Sequence, residues 1–282
     1  MHELFLTSTI KNSDLEKACA VLQGLSWMSA RHNVYRVTYY AGQPKPKGLP
    51  NLKSIPASRH GASWNELHRE LTRLSYVFHL VHEVLPDKDF GTGNALDLNG
   101  MAGTLHWTGF PDPPREKGQL TTHRKKIDIP DQKQLLVTMA SNGQAYAHTI
   151  TFFLLKSKPI KADRIRSYKT ELIQETYTFI RDNIEFVLSR NYYLPPVSEG
   201  SGPSSNLPAW SDLKPVDPAR KWMFQVKRDV IEDSQPEKMK QAQKDLLEVK
   251  AELEAIFSFV PIDRRVLDTR ITPPPTIPGQ HP

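Results

Sequence analysis

The residues best placed to do chemistry lie on one two-stranded stretch, Lys169 to Leu194. Asp182 and Asn183 tolerate the positive φ angles of a two-residue type I′ turn, and taking them as the loop sets the register. Arg181 then faces Ile184; stepping outward by two pairs Phe179 with Phe186, Tyr177 with Leu188, Glu175 with Arg190 and Ile173 with Tyr192 on one face. The other face pairs Ile180 with Glu185, Thr178 with Val187, Thr176 with Ser189 and Gln174 with Asn191, a mostly polar set suited to water. A slip by one residue would set Phe against Val and Glu against Ser, so the register is well specified. Glu175 is thereby a carboxylate on an otherwise apolar face. It reads as a structural ion pair with Arg190 directly opposite, or as an acidic group inside a barrel that binds a metal or a cationic substrate. The second chemistry needs more than one carboxylate.

Those further carboxylates are not supplied at the right spacing. A barrel that grips a triphosphate through inward Lys and Arg and a metal through paired Glu needs Glu-x-Glu on single strands, because that spacing puts both carboxylates on one face. Glu171 and Glu175 are four apart with Ile173 between, and Glu252-x-Glu254 lies on a helix, where residues two apart diverge. The ten histidines give no His-x-x-x-His on a convincing helix beside a carboxylate, and residues 63–74 hold only His68. No metal or other cofactor and no catalytic residue is expected. A Gly-x-Ser-x-Gly elbow, a Walker loop and a kinase set are absent, and Gly91-Thr92-Gly93 lacks the spacing to cradle phosphate. Cys19 is alone, so neither a disulfide framework nor a Cys-based zinc site can form, and a reducing compartment fits. It sits in an apolar helical stripe, where it reads as a small core residue.

The elements that must position these residues are mostly strands. His2 to Ile10, Asn33 to Tyr40, Tyr76 to Leu85, Thr104 to Phe110, 126–129, 135–140, 146–156 and Lys221 to Val230 carry strand patterns around the central hairpin. Ser141-Asn142-Gly143-Gln144 is a hairpin signal joining two of them, and Lys221 to Val230 should pair antiparallel with Ile184 to Leu194. Helices are expected over 13–24, with Ser13 and Glu16 as a capping box and Gly24 ending it, and over 63–74. A third runs from Pro236 to about Phe257, its Met239, Ala242, Leu246, Val249, Leu253 and Ile256 forming a narrow seam to lay along a sheet. About nine or ten antiparallel strands with few helices indicate a barrel or a strongly curled sheet, since closure removes exposed edges. The class is α+β with β dominant: an antiparallel β-barrel with a few flanking helices.

Composition bounds the rest. At 282 residues, 38 % apolar and 24 % charged, the chain suits one large domain, 1–272, its 23 prolines concentrated in a few stretches, among them mobile excursions inserted at about 41–61 and 195–219. The segment 273–282 reads as a disordered Pro-rich tail. No apolar run is long enough to span a membrane. Lys plus Arg exceed Asp plus Glu by 37 to 31, a moderate excess in which only His123-Arg124-Lys125-Lys126 approaches a patch, in an expected loop, so direct nucleic-acid binding is disfavoured. Tyr192, Trp222 and Phe224 are candidates for a partner groove and equally for core.

Several pieces resemble one family, subunit 18 of the Mediator complex in its fungal form. They are Met1-His2-Glu3-Leu4-Phe5-Leu6, Leu22-Gln23-Gly24-Leu25 followed by Arg31-His32, Trp107 to Pro114, Tyr177 to Arg190, and Asp263-Arg264 with Leu267-Asp268-Thr269-Arg270. Their order spans nearly the whole chain. The resemblance implies a nuclear, non-catalytic coregulator of RNA polymerase II transcription in the head module, with a barrel similar to that of the triphosphate tunnel enzymes but without their catalytic set. It implies a heterodimer with Mediator subunit 20, a tethering C-terminal helix of subunit 8, and RNA polymerase II as the larger target. The alternative is a divergent metal-dependent triphosphatase of the tunnel type.

Overall fold

The computed structural model describes residues 2–40, 76–93, 96, 98, 101–109, 119–129, 168–194, 204, 206–231 and 236–262. Among the described residues nine strands follow one another as β1 (His2–Ile10), β2 (Arg31–Tyr40), β3 (Tyr76–Glu83), β4 (Gly103–Gly109), β5 (Leu120–Ile129), β6 (Tyr168–Arg181), β7 (Ile184–Tyr193), β8 (Lys214–Pro215) and β9 (Trp222–Val230). Helix α1 (Leu15–Ser26) joins β1 to β2, and α2 (Pro236–Leu253) follows β9. All the strands form one sheet in the order β6-β2-β3-β4-β5-β1-β9-β7-β8, and every ladder between them is antiparallel. Strand β6 also pairs with β7, so it is bonded along both edges, to β2 and to β7.

The β6–β7 hairpin has the register that side-chain matching dictates, from Arg181 against Ile184 out to Ile173 against Tyr192. Its loop departs from a type I′ turn. Among the described non-glycine residues only Trp27, Asp182 and Arg220 have positive φ, so Asp182 (φ 54) alone absorbs the reversal and Asn183 does not. One left-handed residue suffices because the short polar Asp side chain tolerates that region. Strand β9 pairs antiparallel with β7, Phe186 meeting Val226 and Leu188 meeting Phe224, and with β1 along its whole length.

The two helices cover one face of the sheet. Helix α1 packs on β6, and α2 lies across β9 and β1. The seam of α2 is buried at Ala242, Leu246, Val249 and Leu253, while Ile256 lies past its end and is exposed. Polar ties fix the angle of α2: Arg228 of β9 to Asp245, a forked bond from Arg181 to Glu252 at 2.9 and 3.1 Å, and Gln119 to the Gln243 carbonyl at 2.9 Å. Helix α1 starts later than a Ser13 cap would place it. A 3-10 turn over Asn12–Asp14 precedes it, Asp14 takes the N-cap position without a side-chain bond, and no capping box forms. It also runs past Gly24 to Ser26, and the left-handed residue that ends it is Trp27.

Two further expectations are corrected. Residues 123–126 lie within β5, not in a loop, because β5 pairs with β4 on one side and β1 on the other. The part of 195–219 that is described is no excursion from the body. Leu207 bridges Phe90, Trp210–Asp212 form a 3-10 turn, and β8 pairs with Tyr192 and Tyr193. Leu207 and Leu213 are buried with Val34, Val84, Phe90, Ile173, Tyr192 and Leu194 in a second apolar cluster, so this Pro-rich sequence carries its own anchors. The insertion at 41–61, the helix at 63–74, the strands at 135–140 and 146–156 with their Asn-Gly turn, and the tail at 273–282 lie outside the described residues.

Candidate partner surfaces and buried charge clusters

Glu175 is held at the centre of the hairpin by three donors. Arg190 Nη2 donates to its Oε2 at 3.1 Å, the Tyr192 hydroxyl donates to the same oxygen at 2.5 Å, and His32 Nε2 lies 3.1 Å from Oε1. Three partners for one carboxylate, itself 7 % exposed, satisfy the acceptors that burial removes from water. Burial, and then the bond to Glu175, push the Tyr192 phenol well above its ordinary range. Arg190 is gripped in turn: its Nη1 donates to Asn12 Oδ1 at 2.9 Å, and its guanidinium carbon lies 4.3 Å from the centre of the Trp222 ring. Trp222 Nε1 shares the same Asn12 oxygen at 3.1 Å. The cluster therefore ties the turn before α1 to β2, β6, β7 and β9.

A second ion pair is deeper. Arg36 on β2 donates to Glu171 Oε2 from Nε at 2.9 Å and from Nη2 at 2.5 Å, with side-chain exposures of 0 % and 3 %. The pair also reads one backbone unit: Arg36 Nη2 donates to the Ser204 carbonyl at 2.5 Å, and the Ser204 amide donates to Glu171 Oε1 at 2.9 Å. Residue types on single strands do not reveal this pair, because it depends on which strand lies along the free edge of β6. The one available signal is an arginine between Val34 and Thr38 on the same side of an otherwise apolar strand.

The polar face of the sheet is not the water-facing surface that its composition suggests. Thr176, Val187 and Ser189 are buried on it. Its groups interact across the sheet: Lys227 of β9 acts on His79 of β3, four ladders away, and Glu185 of β7 acts on Tyr35 of β2. His79 Nε2 lies 3.1 Å from His106 Nδ1 on β4, and burial, then the Lys227 charge, lower its pKa to about 4. Among the described residues no group of three or more His, Cys, Asp or Glu could hold a metal ion.

Tyr192, Trp222 and Phe224 are brought together with Glu175 and Arg190, but not as an open groove. They are 7 %, 1 % and 0 % exposed, packed among the protein's own residues, because aromatics on the apolar face of a central strand are drawn into the core. Among the described residues, the large apolar side chains that do reach solvent are elsewhere: Trp27 at 93 %, Ile231, Val260, Ile256, Tyr193, Leu85 and Ile180. Periodicity overlooks these, since each stands at or near the end of an element.

Residues 2–158 and 162–270 match a family model described as Med18 protein. The Mediator of RNA polymerase II transcription subunit 18 of Aspergillus oryzae is 26 % identical over 285 residues, covering 96 % of this chain and 99 % of that protein. Its counterpart from Neosartorya fischeri is 26 % identical over 280 residues, again covering 96 % and 99 %. A chain in the solved structure of the Schizosaccharomyces pombe Mediator head module is similar in fold, with a TM-score of 0.57 at 13 % identity over 93 % of this chain and 99 % of that one.

Proposed function

From the premise that this chain belongs to the Med18 family, we propose that it is a subunit of the Mediator complex, within the head module, acting in regulation of RNA polymerase II transcription in the nucleus. The observation that carries this reading is a family match running from residue 2 to residue 270, joined to a fold like that of a head-module chain. Its work is to present surfaces and to perform no reaction. Support for that lies in how its buried charges are used: Glu175 pairs with Arg190 and Glu171 with Arg36, and both pairs also engage backbone or aromatic neighbours.

The sheet is read as a closed barrel. Strand β6 bonds both β2 and β7, and the Lys227 charge on β9 helps burial to lower the pKa of His79 on β3, four ladders away in the strand order. Its partners on this reading are Mediator subunit 20, in a heterodimer, and the C-terminal helix of subunit 8, with RNA polymerase II engaged by the assembled complex. Tyr192, Trp222 and Phe224 act here as the rigid support beneath the partner-facing surface. Co-expression with subunit 20 and the subunit 8 tail tests the proposal by size-exclusion chromatography. One co-eluting complex is expected; a monomeric peak indifferent to both refutes it.

A further inference from the structure

Arg36, Thr38 and His82 lie on one face of two paired strands, Arg36 directly opposite His82 and Thr38 two residues further along β2. All three are buried, at 0 %, 1 % and 1 % exposure. Each nevertheless carries a buried polar atom with no hydrogen-bond partner among the described residues: Arg36 Nη1, Thr38 Oγ1 and His82 Nε2. Buried polar atoms are paired in nearly every case, and leaving one unpaired is costly. Three such atoms on adjacent positions of one face therefore call for a common guest.

The donor and acceptor inventory identifies it. His82 Nδ1 lies 3.2 Å from the Ala102 carbonyl oxygen, which can only accept, so the ring proton is on Nδ1 and Nε2 presents a lone pair. Burial lowers the pKa of that ring against the raising effect of the Ala102 bond, and the neighbouring Arg36 charge lowers it further. Arg36 Nη1, by contrast, can only donate. The guest must thus accept from Arg36 and donate to His82, which excludes chloride and an ionised carboxylate as the bridging species. A further anion is not needed, because Glu171 already neutralises Arg36. We infer that Arg36 Nη1, His82 Nε2 and Thr38 Oγ1 hold one ordered internal water molecule, a built hydration site between β2 and β3. Water both donates and accepts, and typically makes about three bonds when buried. Gly103 contributes by omission: a Cβ there would stand 2.7 Å from His82 Cε1 and 2.8 Å from Nδ1, so only a glycine lets the ring lie against β4. The site sits beside the bond from Arg36 to the Ser204 carbonyl, so the water shares the guanidinium that pins this backbone unit to the sheet.

Two measurements on the unaltered protein test the site. A crystal structure at high resolution should show one water within hydrogen-bond reach of all three atoms. Long-range nitrogen–proton NMR of the His82 ring should show the Nδ1–H form at neutral pH. A direct bond from Arg36 to His82 with no density between them, or an Nε2–H ring, overturns the inference; so does an ion or larger molecule in that position.

Discussion

Arg36 and Glu171 behave as a unit, because each is almost completely withdrawn from water and each neutralises the other. Arg36→Leu alone strands the Glu171 carboxylate and is expected to cost about 3–5 kcal/mol, whereas Arg36→Leu with Glu171→Leu together should cost less than the single change. Urea unfolding of the two variants checks the order, which a pair of independent charges would reverse. His79 makes a second residue-level claim. Its native pKa of about 4 lies below the ordinary unfolded value of about 6.5. The unfolded chain therefore binds a proton that the native one refuses between those values. The contribution of His79 is full above about pH 6.5 and is lost as pH falls towards about 4, by up to about 3 kcal/mol. His79→Asn should flatten the loss of stability between pH 7 and pH 4.5; an unchanged slope would show that the ring is not shielded. Only part of this chemistry is legible in the sequence. Glu175 and Arg190 are matched by a hairpin turn 15 residues long in its span, so their pairing can be counted outward from Asp182. Arg36 and Glu171 are separated by 135 residues, and nothing local records that they meet.

The β6–β7 hairpin is the element whose form follows most directly from its residues, since a period of two, a two-residue loop and matched apolar pairs all specify one register. The strain of that register is concentrated at Asp182, the single left-handed residue of the turn. Asp182→Val is expected to destabilise the protein by about 1–2 kcal/mol, because a β-branched side chain crowds the backbone there, while Asp182→Gly should be neutral or better. Thermal melts of both variants distinguish this from a loop indifferent to its residues. The helix α2 is legible for the same reason, a seam at spacings of three and four, and its buried face is the one the seam names. The packed run from Leu207 to Pro215 is not, because proline and glycine content signals a loop without saying what the loop lies on. Its anchors Leu207, Trp210 and Leu213 acquire meaning only once Phe90 and Tyr192 are beside them. The polar face misleads in the opposite way. Alternation separates two faces but does not say that Thr176, Val187 and Ser189 will be buried.

At the scale of the whole molecule, the sheet holds its charged groups in internal pairs and places several large apolar side chains at element ends in solvent, Trp27 above all. That distribution suits a protein that works through contact, as the Med18 family assignment implies. The residue order of the resembling segments, from Met1 to Arg270, made the family legible where no single motif did. The partner surface was not, because aromatics such as Trp222 and Phe224 have the same pattern whether they meet a partner or the core. The central claim is membership of an assembly, and affinity purification of the tagged chain from its own nuclei, followed by mass spectrometry, tests it most directly. Mediator head subunits should be recovered in amounts comparable to the tagged chain; recovery of the chain alone, or with proteins unrelated to Mediator, would contradict it.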